Sequence, residues 1–269
     1  MSIKEILQQL NLKPSQTRGQ NFLIDANILN KIIASADLKA GDRVLEVGPG
    51  LGALTGKLVD SGATVLSCEL DKKLFAYLLQ KYSGVKNLIL LNNDILKLPF
   101  PEIKKHFQNK DYQIVANLPY SISSAFLRRF LECDYCPRKM ILMLQKEVCQ
   151  RLLDAPPQMS LLSLSVQLYS RPKILFSVSK NSFYPAPKVD SAVIELTQIR
   201  RPQCDESRFW QIAKAGFSAK RKKLIGNLAK IGIKKENLSA IFSRLNLSEN
   251  IRAQELSLDD WLNLTGELI

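Results

Sequence analysis

Between Arg43 and Gln198 short apolar runs alternate with segments of helical spacing, and no other feature constrains the fold of this chain as tightly. The runs are Val44–Val47, Thr64–Cys68, Leu88–Leu91, Tyr112–Ala116, Lys139–Leu144, Ile174–Val178 and Ala192–Leu196. Between them Ala53–Asp60, Lys72–Tyr82, Ser123–Leu131, Glu147–Leu153 and Leu161–Tyr169 repeat apolar residues at three and four positions, as one helix face requires. A strand followed by a helix returns beside its predecessor in parallel, so such a chain builds a sheet covered on both faces. The last two runs are joined only by the loop Ser179–Asp190, which predicts a closing antiparallel hairpin at the sheet edge. Upstream, Asp25 is placed to cap a helix carrying Ile28, Leu29, Ile32 and Ile33 on one face. Downstream, strand-like runs stop at Ile199, and Arg200-Arg201-Pro202 marks a boundary. Arg208–Ser218, Lys222–Ile231, Lys235–Leu245 and Ser257–Leu268 then read as helices. The expectation is an α/β domain with a seven-stranded, mostly parallel sheet over residues 1–199, and a small all-α domain over 200–269.

Three strand ends carry polar chemistry. The first runs into Gly48-Pro49-Gly50-Leu51-Gly52, a G-x-G-x-G turn that lets a ligand approach the backbone. It has neither dinucleotide spacing nor the Lys-Ser/Thr of a phosphate-cradling loop. The second ends at Glu69, whose carboxylate can accept both hydroxyls of a ribose. The third leads to Asp94, which can accept from the amino group of a purine. Taken singly, these residues read equally as a tight turn, a surface acid and a turn residue. Together they fit a nucleoside cofactor that needs no phosphate.

The fourth strand runs into Asn117-Leu118-Pro119-Tyr120. An amino group on an aromatic base is a poor nucleophile, because its lone pair is delocalised into the ring. A site that accepts hydrogen bonds from that NH2 draws it toward tetrahedral geometry. The Asn117 side-chain oxygen and the Leu118 carbonyl can both accept, and Pro119 fixes the turn that aims them. Tyr120 offers a flat face for stacking, and such a base must be single-stranded or flipped out to enter. Phe183, in Phe183-Tyr184-Pro185-Ala186-Pro187-Lys188, is placed to close over the opposite face of the base; its other reading is an apolar anchor for a hairpin loop.

The formal net charge is +13. An excess of this size points to a polyanion, since Lys and Arg gain affinity by releasing counterions from phosphates. Lys220-Arg221-Lys222-Lys223 is the densest basic run and is expected to contact phosphates. The five cysteines are odd in number, and no apolar leader opens the chain, which suggests free thiols in a cytoplasmic protein. His106 is the single histidine, and Cys133-x-x-Cys136 lacks a partner pair, so no metal is expected.

Five segments recur, in this order, in ribosomal RNA adenine dimethyltransferases. They are Gly19-Gln20-Asn21-Phe22-Leu23, Leu45 through Gly52, Asn117 through Tyr120, Pro187 through Val193, and Phe217-Ser218-Ala219-Lys220-Arg221-Lys222. Over nearly its whole length the chain resembles that family, most closely its bacterial small-subunit (16S) branch. The resemblance implies a Rossmann-like domain that uses S-adenosylmethionine and dimethylates N6 of two adjacent adenosines in a hairpin near the 3′ end of 16S rRNA. It also implies a role in small-subunit assembly; the enzyme is expected to be a monomer. By motif, Asn21 and Leu23 would flank the cofactor, Gly48 and Gly50 would line the turn, and Glu69 would hold the ribose. Asp94 would face the cofactor's adenine, and Asn117 would sit between methyl donor and target amine. The chain departs from the family pattern at Arg18, at Ser121 and at Lys220. Two rivals stay open: a large-subunit methyltransferase of the macrolide-resistance type, and an RNA-binding factor that has kept the fold without the activity.

Overall fold

The computed structural model describes residues 3–14 and 20–268. It divides into two compact units, one of residues 1–149 and 171–199, the other of residues 150–170 and 200–269. One break between them falls after Ile199. The segment 150–170, expected in the first domain, groups instead with the helical tail.

In the first unit the chain runs through α1 (Ile3–Gln9), β1 (Phe22–Leu23), α2 (Ala26–Ala36), β2 (Arg43–Val47) and α3 (Ala53–Asp60). It continues through β3 (Thr64–Glu69), α4 (Lys72–Lys81), β4 (Leu88–Asn92), α5 (Phe100–His106), β5 (Gln113–Asn117) and α6 (Ser123–Leu131). Next come β6 (Lys139–Gln145) and α7 (Lys146–Leu152), which leads into the second unit's α8 (Leu161–Gln167). β7 (Arg171–Val178), β8 (Phe183–Tyr184) and β9 (Ser191–Thr197) return to the first unit. The helical tail holds α9 (Glu206–Gly216), α10 (Leu224–Leu228), α11 (Lys235–Arg244) and α12 (Leu258–Glu267).

The main sheet has seven strands in the order β4-β3-β2-β5-β6-β9-β7. β2 to β6 pair in parallel, while β9 pairs antiparallel with both β6 and β7. The expected hairpin is therefore present, with its later strand tucked inside and β7 at the edge. Strand order reverses between β2 and β5, the place where crossovers part to opposite faces and leave a crevice at the strand ends. The period-2 alternation of strands sets Val44, Val65, Val115, Ile141 and Val193 on one face, where they pack with Leu29, Ile32, Leu54 and Leu58 of α2 and α3. Asp25 caps α2 as expected, accepting from the Asn27 and Ile28 amides. α5 and a two-stranded ribbon of β1 and β8 have no counterpart among the sequence expectations. Both are short, and periodicity over so few residues is weak.

The helical unit has its own core, with Phe209, Ile212, Leu224, Leu228, Phe242, Trp261 and Leu264 all fully buried. Phe217 stacks on Trp261 with ring centres 5.4 Å apart. All five cysteines are free thiols.

Candidate active site

A cavity of about 250 Å³ opens at the carboxyl ends of β2 to β5. Its walls bring together Asn21, Leu23, Gly48, Gly50, Glu69, Asp94, Asn117, Leu118, Pro119 and Tyr120, all of which the sequence singled out. The parallel register explains this convergence. Neighbouring strands that end at one level put the residue after each strand on one rim.

The glycine turn leaves β2 with φ of +65° at Gly48, +59° at Gly50 and +79° at Gly52. Those angles are costly for any residue with a Cβ. At Gly50 a Cβ would also come to 3.0 Å of the Phe22 ring, and at Gly52 to 2.8 Å of Tyr82. Gly48 and Gly50 thus meet the cavity with backbone alone, beside Pro49 and Leu51.

Glu69 closes β3 and is buried, with Oε2 accepting from the Gly50 amide at 3.1 Å and Oε1 from the Asp71 amide at 2.8 Å. Each oxygen keeps a further lone pair for a ligand hydroxyl. Burial raises the Glu69 carboxyl above its ordinary pKa, against the pull of those two amides. Asp94 is fixed by its own turn, with Oδ1 accepting from the Leu96 amide at 2.9 Å.

Asn117 ends β5. Its Nδ2 donates to the Asn21 carbonyl at 3.3 Å, which orients the amide and leaves the side-chain oxygen as an acceptor. The same bond ties the Gln20–Leu23 segment to the Asn-Leu-Pro-Tyr turn across 96 residues. The Leu118 amide donates to the Met143 carbonyl of β6 at 3.2 Å, so the turn is anchored to the sheet.

Glu46 was not assigned a role from sequence. It lies inside β2, 1% exposed, and faces the cavity from the strand rather than from the turn. Oε2 accepts from Thr55 Oγ1 and Ser67 Oγ, both at 2.8 Å, while Oε1 has no partner among the described residues. Burial raises its pKa to about 7, opposed by those two hydroxyls. A carboxylate interrupting the apolar run Val44–Val47 was the available signal, since buried charge is tolerated only with a purpose or a partner.

Phe183 does not line the cavity. It is 3% exposed, pairs with Leu23 across the β1–β8 ribbon and packs in the core with Leu29 and Val178. The expectation that it closes over a base is corrected to its other reading, an apolar anchor: ribbon pairing turns the ring inward.

The basic run belongs to the second unit. Residues 220–223 form the turn between a 3-10 segment, Phe217–Ala219, and α10. Arg221, Lys222 and Lys223 line a separate cavity of about 790 Å³ together with Lys230, Lys235 and Arg252; Lys220 is exposed but lies outside that lining. His106 sits on α5, away from either cavity. Arg18 and Gly19 lie outside the described residues.

The donor set of the first cavity selects its ligand. Among the described lining residues are four carboxylates, Glu46, Glu69, Asp71 and Asp94, and no Lys, Arg or His. Phosphate would be repelled from such a wall, whereas a nucleoside carrying positive charge is favoured. The residues therefore fit S-adenosylmethionine, whose sulfonium and ammonium groups are cationic and whose ribose and adenine offer donors to Glu69 and Asp94.

Comparison with known proteins agrees. Residues 11–269 match the family described as ribosomal RNA adenine dimethylase. Ribosomal RNA small subunit methyltransferase A of Dehalococcoides mccartyi (strain CBDB1) is 41% identical over 268 residues, covering 98% of this chain and 91% of the relative. The protein of the same name from Alkaliphilus oremlandii is 36% identical, covering 98% and 95%. Among solved structures, a dimethyladenosine transferase from Plasmodium falciparum superposes with a TM-score of 0.77 at 26% identity, covering 90% of this chain and 95% of that one. The 23S rRNA methyltransferase ErmE superposes with a TM-score of 0.74 at 25% identity, covering 92% and 99%. With the acid-lined cavity, the Asn-Leu-Pro-Tyr turn and a full-length match in agreement, the chain belongs to the ribosomal RNA adenine dimethylases, Rossmann-like methyltransferases that use S-adenosylmethionine.

Proposed function

We propose that this enzyme dimethylates N6 of two adjacent adenosines in a hairpin near the 3′ end of 16S rRNA, within the small subunit or its precursor, as a cytoplasmic monomer. The observation that carries the reading is the junction of Asn117 with an acid-lined nucleoside cavity at one rim of the sheet. The small-subunit assignment is supported by the names of the nearly full-length relatives. The likeness to ErmE is as good in shape as that to the dimethyladenosine transferase, so fold alone does not choose between ribosomal subunits.

S-adenosylmethionine, when bound, supplies a methyl group already activated by its sulfonium charge. Glu69 holds the ribose with the lone pairs that Gly50 and Asp71 leave open, and Asp94 holds the adenine. Gly48 and Gly50 let the ligand lie against the backbone. The Asn117 oxygen and the Leu118 carbonyl accept from the target amine and localise its lone pair, while Pro119 fixes the turn and Tyr120 stacks on the base. The chain thus acts mainly by position and electrostatics, and the amine's proton passes to water. The helical unit grips RNA phosphates through Arg221, Lys222 and Lys223, with Lys220 beside them.

The test is single-turnover methylation of under-methylated small subunits with the modified nucleotide mapped. Wild type should modify adjacent adenosines of 16S rRNA, and Asn117→Ala should cut turnover by about a hundredfold or more with cofactor affinity little changed. Methylation of large-subunit RNA alone would overturn the substrate assignment. A wild-type rate in Asn117→Ala would overturn the role of Asn117.

A further inference from the structure

Tyr120 and Ser191 are 71 residues apart in sequence, yet their hydroxyl oxygens lie 2.7 Å apart. Tyr120 lines the cavity; Ser191 does not. Ser191 is fully buried at the start of β9, in register with Gln145 of β6 on one side and Val178 of β7 on the other. A side chain held between two strands is among the least mobile points a sheet can offer. Tyr120 is pinned at its other end by the backbone: Pro119 precedes it, and the Ile122 amide donates to the Pro119 carbonyl at 3.1 Å, closing a 3-10 turn.

We infer that Ser191 is a positioning residue for the methyl transfer, its hydroxyl anchoring the tip of the Tyr120 ring on which the target base stacks. The inference rests on the stacking role proposed for Tyr120. Backbone at one end and a buried hydroxyl at the other fix the long axis of the ring, so a base arriving on it is presented at one place beside Asn117. Ordering a loose ring would otherwise subtract from the stacking energy at the moment of binding. The phenol is not a rival proton acceptor: burial raises its pKa, so it stays protonated and is available to share a hydrogen with Ser191. The bland reading is that Ser191 only satisfies a half-buried phenol and contributes to stability alone.

A double-mutant cycle separates the two. Ser191→Ala, Tyr120→Phe and the double variant would be compared in single-turnover and steady-state methylation of under-methylated small subunits, alongside cofactor affinity and thermal unfolding. Tyr120→Phe removes the same bond without touching β9, so the inference stays testable even if Ser191→Ala folds poorly. The expected result is a drop in kcat of about fivefold to thirtyfold in each single variant, with no further drop in the double. Cofactor affinity should stay within about twofold, and Ser191→Thr, which keeps the hydroxyl, should recover most of the rate. A wild-type kcat in Ser191→Ala and Tyr120→Phe, or losses that multiply in the double variant, would overturn the inference. Tyr120→Ala guards the underlying reading: if it methylates normally, the stacking role itself is wrong. If Tyr120→Ala is impaired while both hydroxyl deletions are silent, stacking stands and the positioning role of Ser191 falls.

Discussion

Glu46 allows the cavity's electrostatics to be tested through folding. Its carboxyl, ordinarily near 4.5, is raised to about 7 by burial. Replacing it with Gln removes the titration while keeping the shape and an oxygen for Thr55 and Ser67 to reach. Between those two pH values the native state still binds the proton that the unfolded chain has released, so wild-type stability falls as pH rises. At 1.36 kcal/mol per pH unit, the full loss above the folded value comes to about 3 kcal/mol, of which about 2.5 falls between pH 5 and pH 8. Glu69, also raised by burial, titrates in the same direction in both proteins. The assay is urea unfolding of the ligand-free protein by circular dichroism at both pH values, for wild type and Glu46→Gln. The quantity read is the difference of differences, which cancels any fixed cost of the amide. Wild type should lose about 2–3 kcal/mol more than the variant on going from pH 5 to pH 8. Equal pH dependence within about 0.5 kcal/mol would refute the argument that Glu46 is a buried, half-partnered acid.

Further outcomes follow from the same geometry. Glu69→Ala removes an acceptor for the ribose together with the bonds to the Gly50 and Asp71 amides, and calorimetry should show cofactor affinity lowered at least about tenfold. Gly52→Ala should destabilise the protein by about 2–3 kcal/mol in thermal unfolding, from the positive φ together with the contact to Tyr82 and Leu78. Neutralising Lys220, Arg221, Lys222 and Lys223 to Gln should weaken binding to small-subunit RNA and flatten its salt dependence by about 0.7–0.9 in log–log slope for each lost phosphate contact. Cofactor affinity should not change, and salt plots that superimpose on wild type would leave the run as surface charge.

Most of the fold was legible along the chain because it is written in local periodicity. The alternation of apolar runs and helical segments dictated a parallel sheet, and polar residues placed just after those runs had to share one rim once the strands were parallel. That is why Gly48, Glu69, Asp94 and Asn117 group together on sequence alone. The limits of the sequence lie where position depends on elements far apart in the chain. Phe183 looked available in a loop, but pairing of β8 with β1 turned it into the core. Residues 150–170 followed the expected rhythm of the first domain, yet their packing joins them to the helical unit. Glu46 was visible as a charge in a strand, but that Thr55 and Ser67 both reach one of its oxygens and leave the other without a donor among the described residues is set by α3 and β3 packing around it. The bond between Tyr120 and Ser191 joins two motifs that periodicity treats as unrelated, since β9 must be inserted between β6 and β7 before the two hydroxyls can meet. Periodicity fixes which face a side chain takes on its own element, whereas its neighbours across the sheet are set by strand order and register, and these are decided by the packing of the whole unit.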